Sequence, residues 1–128
     1  MEESVLRRGV AEFIGTFTLI FIGGGAGAIS GNDIVAVALA NGLAIAIMVS
    51  NFGHISGGLF NPAITLGFLS TRRITPRLAV VYWIAQFGGA VIAAAILRGL
   101  ITKPYLFSHT IPSVHTIGAA AASCSRRS

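Results

Sequence analysis

Asn61-Pro62-Ala63 follows a glycine pair, Gly57-Gly58, and opens a short apolar run. An asparagine amide both donates and accepts hydrogen bonds, and proline lacks the backbone N–H that a helix interior needs. The pair therefore reads as a helix start, with Asn61 at the N-cap and Pro62 at the first helical position. From Pro62 to about Ser70 such a helix is roughly 13 Å long at about 1.5 Å per residue. That covers about half of a hydrocarbon core roughly 30 Å thick.

A half-helix entering from the cytoplasmic side would put its N-terminus near the middle of the bilayer. The positive end of its dipole repels cations there and favours an oxygen lone pair. Ahead of it, Gly57, Gly58, Leu59 and Phe60 are expected to be extended, with carbonyls free of helix bonds. Free carbonyls at membrane depth must line a wet cavity or be buried in protein. Carbonyl acceptors and the Asn61 amide donor would then replace the hydration of a small neutral molecule passing along the path. A kinked loop joining two spans is the plain alternative.

Other residue types offer less chemistry. Glu12 is an ionisable group about one turn into an apolar run, a position that is paired or functional. His54, His109 and His115 have no carboxylate or thiol at ligand spacing, and Cys124 is the single cysteine, so no metal site or internal disulfide is expected. Gly23 to Ala28 fits the loose dinucleotide pattern G-x-G-x-x-A, but no Asp or Glu occurs after Asp33 to hold a ribose. With no nucleophile beside a general base, neither catalytic residues nor cofactors are expected, and the chain reads as a non-enzyme.

The elements that must hold this segment follow from composition. The chain has 128 residues, 54% hydrophobic and 10% charged, against roughly 25% charged in a soluble domain. Its net charge of +5 comes without a basic face or stacking aromatics, which argues against nucleic acid as a partner. Three runs are long enough to cross a bilayer, at residues 9–29, 34–52 and 78–97. The first is longer than the apolar core of a signal peptide and is expected to stay in the membrane. Arg7, Arg8, Arg72, Arg73, Arg77 and Arg98 flank the runs. The positive-inside rule puts residues 1–8 and the Arg72–Arg77 group in the cytoplasm and the Ser30–Asp33 turn outside. The tail at 99–128 falls outside as well, although it carries Lys103, Arg126 and Arg127. Glycines within the runs, among them Gly15, Gly23, Gly42, Gly88 and Gly89, predict closely approaching helices. The expected fold is an all-α membrane protein, three transmembrane helices plus one re-entrant half-helix in a pore loop at 54–70.

"GHISGGLFNPAITLG" resembles the first asparagine-proline-alanine loop of the aquaporin and glycerol-facilitator family, the major intrinsic proteins. "AEFIGTFTLIF" from Ala11 resembles that family's first helix, and "AQFGGA" from Ala85 its third. The resemblance implies a fold of two inverted repeats, six helices and two half-helices around a pore for water or small neutral solutes. Residues 9–98 correspond to the first repeat, with no second Asn-Pro-Ala and no counterpart of the filter arginine.

On this resemblance Asn61 is the pore donor and Pro62 and Ala63 set the start of the half-helix. Gly57, Gly58, Leu59 and Phe60 line the path beside them. Glu12 corresponds to the first-helix glutamate that props the loop backbone. Gln86 either buttresses the loop too or only packs between helices. His54 and Ser56 match the motif in structural roles. Leu59 stands where the family often has His, and Asn41 where it places a second-helix filter residue. Water and small polyols both remain open as solutes.

"HTIGAAAAS" from His115 resembles the extracellular loop before the family's fourth helix. The expected protein is thus a multi-pass channel of the cell membrane, its N-terminus cytoplasmic, incomplete as a half-channel. It would need a second repeat or further copies of itself, as in the family's tetramer. The competing expectation is a non-conducting membrane subunit that packs against a partner through Gly88 and Gly89.

Overall fold

The computed structural model describes residues 2–31 and 33–101, with the side chains of Glu2 and Glu3 excepted. The expectations for the tail beyond 101, including Cys124, His109, His115 and the "HTIGAAAAS" segment, lie outside the described residues. Every regular element among the described residues is a helix: α1 (Glu2–Ile29), α2 (Ile34–Ser56), α3 (Pro62–Ser70) and α4 (Pro76–Leu100). α1, α2 and α4 are long and apolar enough to cross a membrane. The nine-residue α3 is not.

The helices run further than the hydropathy does. α1 takes in residues 2–8, since nothing between Glu2 and Arg8 stops a helix and Glu, Leu and Arg favour one. α2 continues past Phe52 to Ser56 and carries His54 with it. It ends where Gly57 turns left-handed at φ 97° and returns its N–H to the Gly53 carbonyl. Each later start has a side-chain cap: Asp33 accepts from Val35 and Ala36, Asn61 from Ala63, and Thr75 from Leu78.

α1 is the central element, packed against both other long helices. Gly23 of α1 abuts Asn41 of α2, while Glu12 lies near Ser56, so this pair is antiparallel. Gly9 faces Val81, Gly89 faces Phe13 and Phe17, and Gly24 faces Leu97, so α1 and α4 are parallel. Arg7, Arg8, Arg72, Arg73 and Arg77 consequently gather at one end of the bundle, with Asp33 and Arg98 at the other.

The tightest contact with another helix's backbone is at Gly89, where a Cβ would stand 2.6 Å from the Phe13 carbonyl oxygen and 3.1 Å from the Phe17 amide nitrogen. Two backbones approach there with no side chain between, the arrangement that small residues permit in lipid. Gly88 makes only ordinary contact with the Phe13 ring, and Gly27 and Gly42 face open space. The glycines therefore do not act as one class.

Burial is inverted relative to a soluble protein. Long stretches of Ile, Leu and Val on α2 and α4 are exposed, whereas the largest fully buried side chains are Tyr82, Gln86, Glu12 and Thr65. Lipid is as apolar as leucine, so exposed aliphatics are at no disadvantage in it, and the polar groups withdraw to bond one another.

Candidate functional site: the re-entrant loop and its brace

The chain turns back between Ser56 and Pro62. This stretch is not extended as expected: Gly57, Gly58 and Phe60 have φ of 97°, 66° and 45°. The two glycines take these values without a Cβ penalty. Phe60 is a bulky residue in a left-handed conformation, held there by its surroundings. Its ring fills the space over Gly15, where any Cβ would overlap it. Its amide donates to Glu12 Oε2 at 2.6 Å.

Glu12 is fully buried and organises the loop. Its Oε1 accepts from Ser56 Oγ at 2.6 Å and from the Leu59 amide at 3.0 Å. Its Oε2 accepts from the Phe60 amide and from Gln86 Nε2 at 2.8 Å. A carboxyl that accepts four donors has no capacity left unused. Gln86 Nε2 also reaches Thr65 Oγ1 at 2.9 Å, and Thr65 Oγ1 lies 3.1 Å from the Asn61 carbonyl oxygen. Of the two expectations for Gln86, its bonds agree with the buttress: one amide ties α1, α3 and α4 together.

Two more ties come from α4. Tyr82 Oη donates to the Ser56 carbonyl at 2.5 Å, and Trp83 Nε1 donates to the Pro62 carbonyl at 3.1 Å. Thr65, Tyr82 and Trp83 are not singled out by any motif. The available signal is the recurrence of polar-tipped residues at 82, 83 and 86 within an apolar span, which calls for partners.

Most of the loop's other polar groups have no partner among the described residues. The carbonyls of Gly57, Gly58, Leu59 and Phe60 accept no hydrogen bond from the described residues. Asn61 is exposed at the tip. Its Oδ1 accepts from the Ala63 amide at 2.9 Å, and its Nδ2 makes no hydrogen bond to a described residue. Pro62 is half-buried and Ala63 exposed beside it. Where water or a solute can reach this edge, it meets a short row of acceptors ending in one donor.

Several expected site residues sit elsewhere. The Leu59 and Phe60 side chains are buried, Leu59 against Leu78 and Tyr82, so lining by these residues would be through their carbonyls. His54 does not support the loop. Because α2 continues past it, the side chain stays on the helix surface and borders a cavity of about 460 Å³ with Ser4, Arg7, Arg8 and Ile55. Asn41 donates to its own helix at the Val37 carbonyl, 2.9 Å away, and rests on Gly23 of α1. It makes no hydrogen bond to the loop. Among the described residues no three His, Cys, Asp or Glu side chains cluster to hold a metal ion.

Three apolar spans, a half-length helix and a buried carboxylate beneath the turn define a polytopic membrane protein with a re-entrant loop. The chain belongs to the major intrinsic protein family, whose sequence model matches residues 1–125. It is 44% identical over 97 residues to glycerol uptake facilitator protein-like 6 of Lactiplantibacillus plantarum, covering 76% of this chain and 45% of the relative. Mouse aquaporin-4 is 44% identical over 101 residues, covering 73% and 31% respectively. Aquaporin NIP2-1 of rice is 36% identical over 113 residues, covering 84% and 38%. The chain thus spans less than half the length of these relatives.

Proposed function

We propose that this chain supplies one half of a transmembrane channel for water or small neutral solutes and is not an enzyme. The observation that carries the reading is the unequal use of the loop's polar groups: the Leu59 and Phe60 amides are tied to Glu12, while the carbonyls of residues 57–60 and Asn61 Nδ2 have no hydrogen-bond partner among the described residues. A neutral molecule with a hydroxyl can donate to such carbonyls and accept from such an amide. A cation gains nothing at the N-terminal end of α3.

The open edge cannot face hydrocarbon, because unpaired carbonyls are costly there. It is completed by a second repeat or by further copies of this chain, in the cell membrane, with the arginine-rich end in the cytoplasm. For the packing alternative, Gly89 is already covered by α1, whereas Gly88 is half-buried and makes only ordinary contact with the Phe13 ring.

The test is osmotic shrinkage of liposomes carrying the folded, inserted chain, beside an Asn61→Ala variant and empty vesicles. Shrinkage faster than in empty vesicles with a low activation energy, lost in the variant, is the expected result. Inserted protein that leaves the rate at the empty-vesicle value at every protein-to-lipid ratio would overturn conduction by this chain.

A further inference from the structure

Trp83 is the eighth residue of α4, which starts at Pro76. At about 1.5 Å per residue its Cα is roughly 11 Å along the helix, well inside the apolar span. Tryptophans that anchor membrane proteins sit at the headgroup level, where water satisfies the indole N–H. This one is half-buried within the span. An indole N–H at that depth needs a partner, and it has one in the Pro62 carbonyl, 3.1 Å away.

That carbonyl is next to the Asn61 carbonyl, which takes the Thr65 amide at 3.0 Å and lies 3.1 Å from Thr65 Oγ1. Thr65 is joined in turn to Gln86. α4 therefore holds both successive carbonyls at the start of α3, one directly through Trp83 and one through Gln86. The Asn61 side chain has little freedom left, because its Oδ1 is bonded to the Ala63 amide within the same turn. Once the first turn of α3 is oriented and Oδ1 is held, the direction of Nδ2 follows from the planarity of the amide.

We propose that Trp83 is a positioning residue: its indole N–H, bound to the Pro62 carbonyl, aims the Asn61 Nδ2 donor across the open edge of the loop. Its consequence for selectivity rests on the channel reading, whereas the contact and its effect on Asn61 do not. Tyr82, one residue earlier, holds the Ser56 carbonyl at the other end of the loop and so serves a different task.

The test uses the whole chain in lipid bilayers and exploits Trp83 as its single tryptophan. Solid-state NMR of the unsubstituted protein, labelled with indole ¹⁵N and proline carbonyl ¹³C, is expected to show close dipolar contact between Trp83 and one proline carbonyl. Its absence would overturn the proposal without any variant. Trp83→Phe keeps a ring and removes the donor. It is expected to shift the Asn61 side-chain ¹⁵N signal while those of Asn41 and Asn51 stay in place, a selectivity that general loosening would not produce. An unmoved Asn61 signal, or equal movement of all three, also overturns it.

In vesicles that conduct, the same variant is expected to change the glycerol-to-water permeability ratio by about two- to tenfold, the weight of one hydrogen bond. An unchanged ratio in conducting vesicles would refute the effect on selectivity. If the unsubstituted chain does not conduct while the NMR contacts are present, conduction by this chain alone is refuted and the positioning role stands.

Discussion

The two sides of the re-entrant loop differ in how their hydrogen bonds are used. On the inner side the amides of Gly57, Gly58, Leu59 and Phe60 end on Gly53 O, Ser56 Oγ and the two Glu12 oxygens. On the outer side the carbonyls of the same four residues and Asn61 Nδ2 have no partner among the described residues. In one peptide segment the backbone donors are thus all bonded and the acceptors are not. Glu12, the one buried carboxylate among the described residues, fixes the amides of the loop. Stability and transport are therefore expected to respond to different residues.

The largest effect on stability should come from the inner side. Glu12→Ala strands two loop amides, the Ser56 hydroxyl and the Gln86 amide in a dry interior, and is expected to destabilise the fold by about 4 kcal/mol or more. Thermal unfolding in detergent would measure it. A loss under about 1 kcal/mol would mean that water replaces the carboxylate, and the brace would not be the rigid side.

Gly89→Ala comes next. The new methyl meets the Phe13 carbonyl oxygen at 2.6 Å and is expected to push α1 from α4 at about 1–3 kcal/mol. Gly88→Ala, one residue away, is the control and should be close to neutral, because its Cβ would find only the Phe13 ring at 3.5 Å. Equal losses at both positions would dissolve the distinction between them.

Asn61→Ala should sharpen the contrast from the outer side. Loss of the cap on α3 is expected to lower stability by only about 1 kcal/mol, while removing whatever conductance the chain supports. A variant that is badly destabilised would show that Asn61 belongs to the brace. The smallest effect is expected for Gly42→Ala, whose Cβ would meet nothing within 4 Å. Unfolding should stay within about 1 kcal/mol of the parent.

The half-helix was legible because its signals are local. Asn at the cap, Pro at the first position and an apolar run too short to span are all contiguous, and Asn61 does cap α3 at Pro62. The three spans were legible from length and hydropathy, and Glu12 from the rarity of a carboxylate inside one. The left-handed turns at Gly58 and Phe60 were not, because they depend on what Glu12 and Gly15 do to a segment more than 40 residues away. The place of His54 on α2 was not legible for a related reason: the hydropathy weakens after Phe52, while the helix continues until Gly57 turns its backbone.

By itself, then, the sequence determined that there are three spans and a half-helix capped at Asn61, which of them suit a bilayer, and that polar groups inside them must find partners, although α1 and α2 run past the ends of their apolar runs. Capping, hydropathy and the absence of competing charge act over a few residues, and no distant contact is needed to read them. Only the tertiary structure decided which partners those are. Ser56, Leu59, Phe60 and Gln86 converge on Glu12, and Tyr82 and Trp83 take the carbonyls at the two ends of the loop. Those pairings exist because α4 runs parallel to α1 at the distance Gly89 permits, a fact of packing between segments that no local pattern encodes.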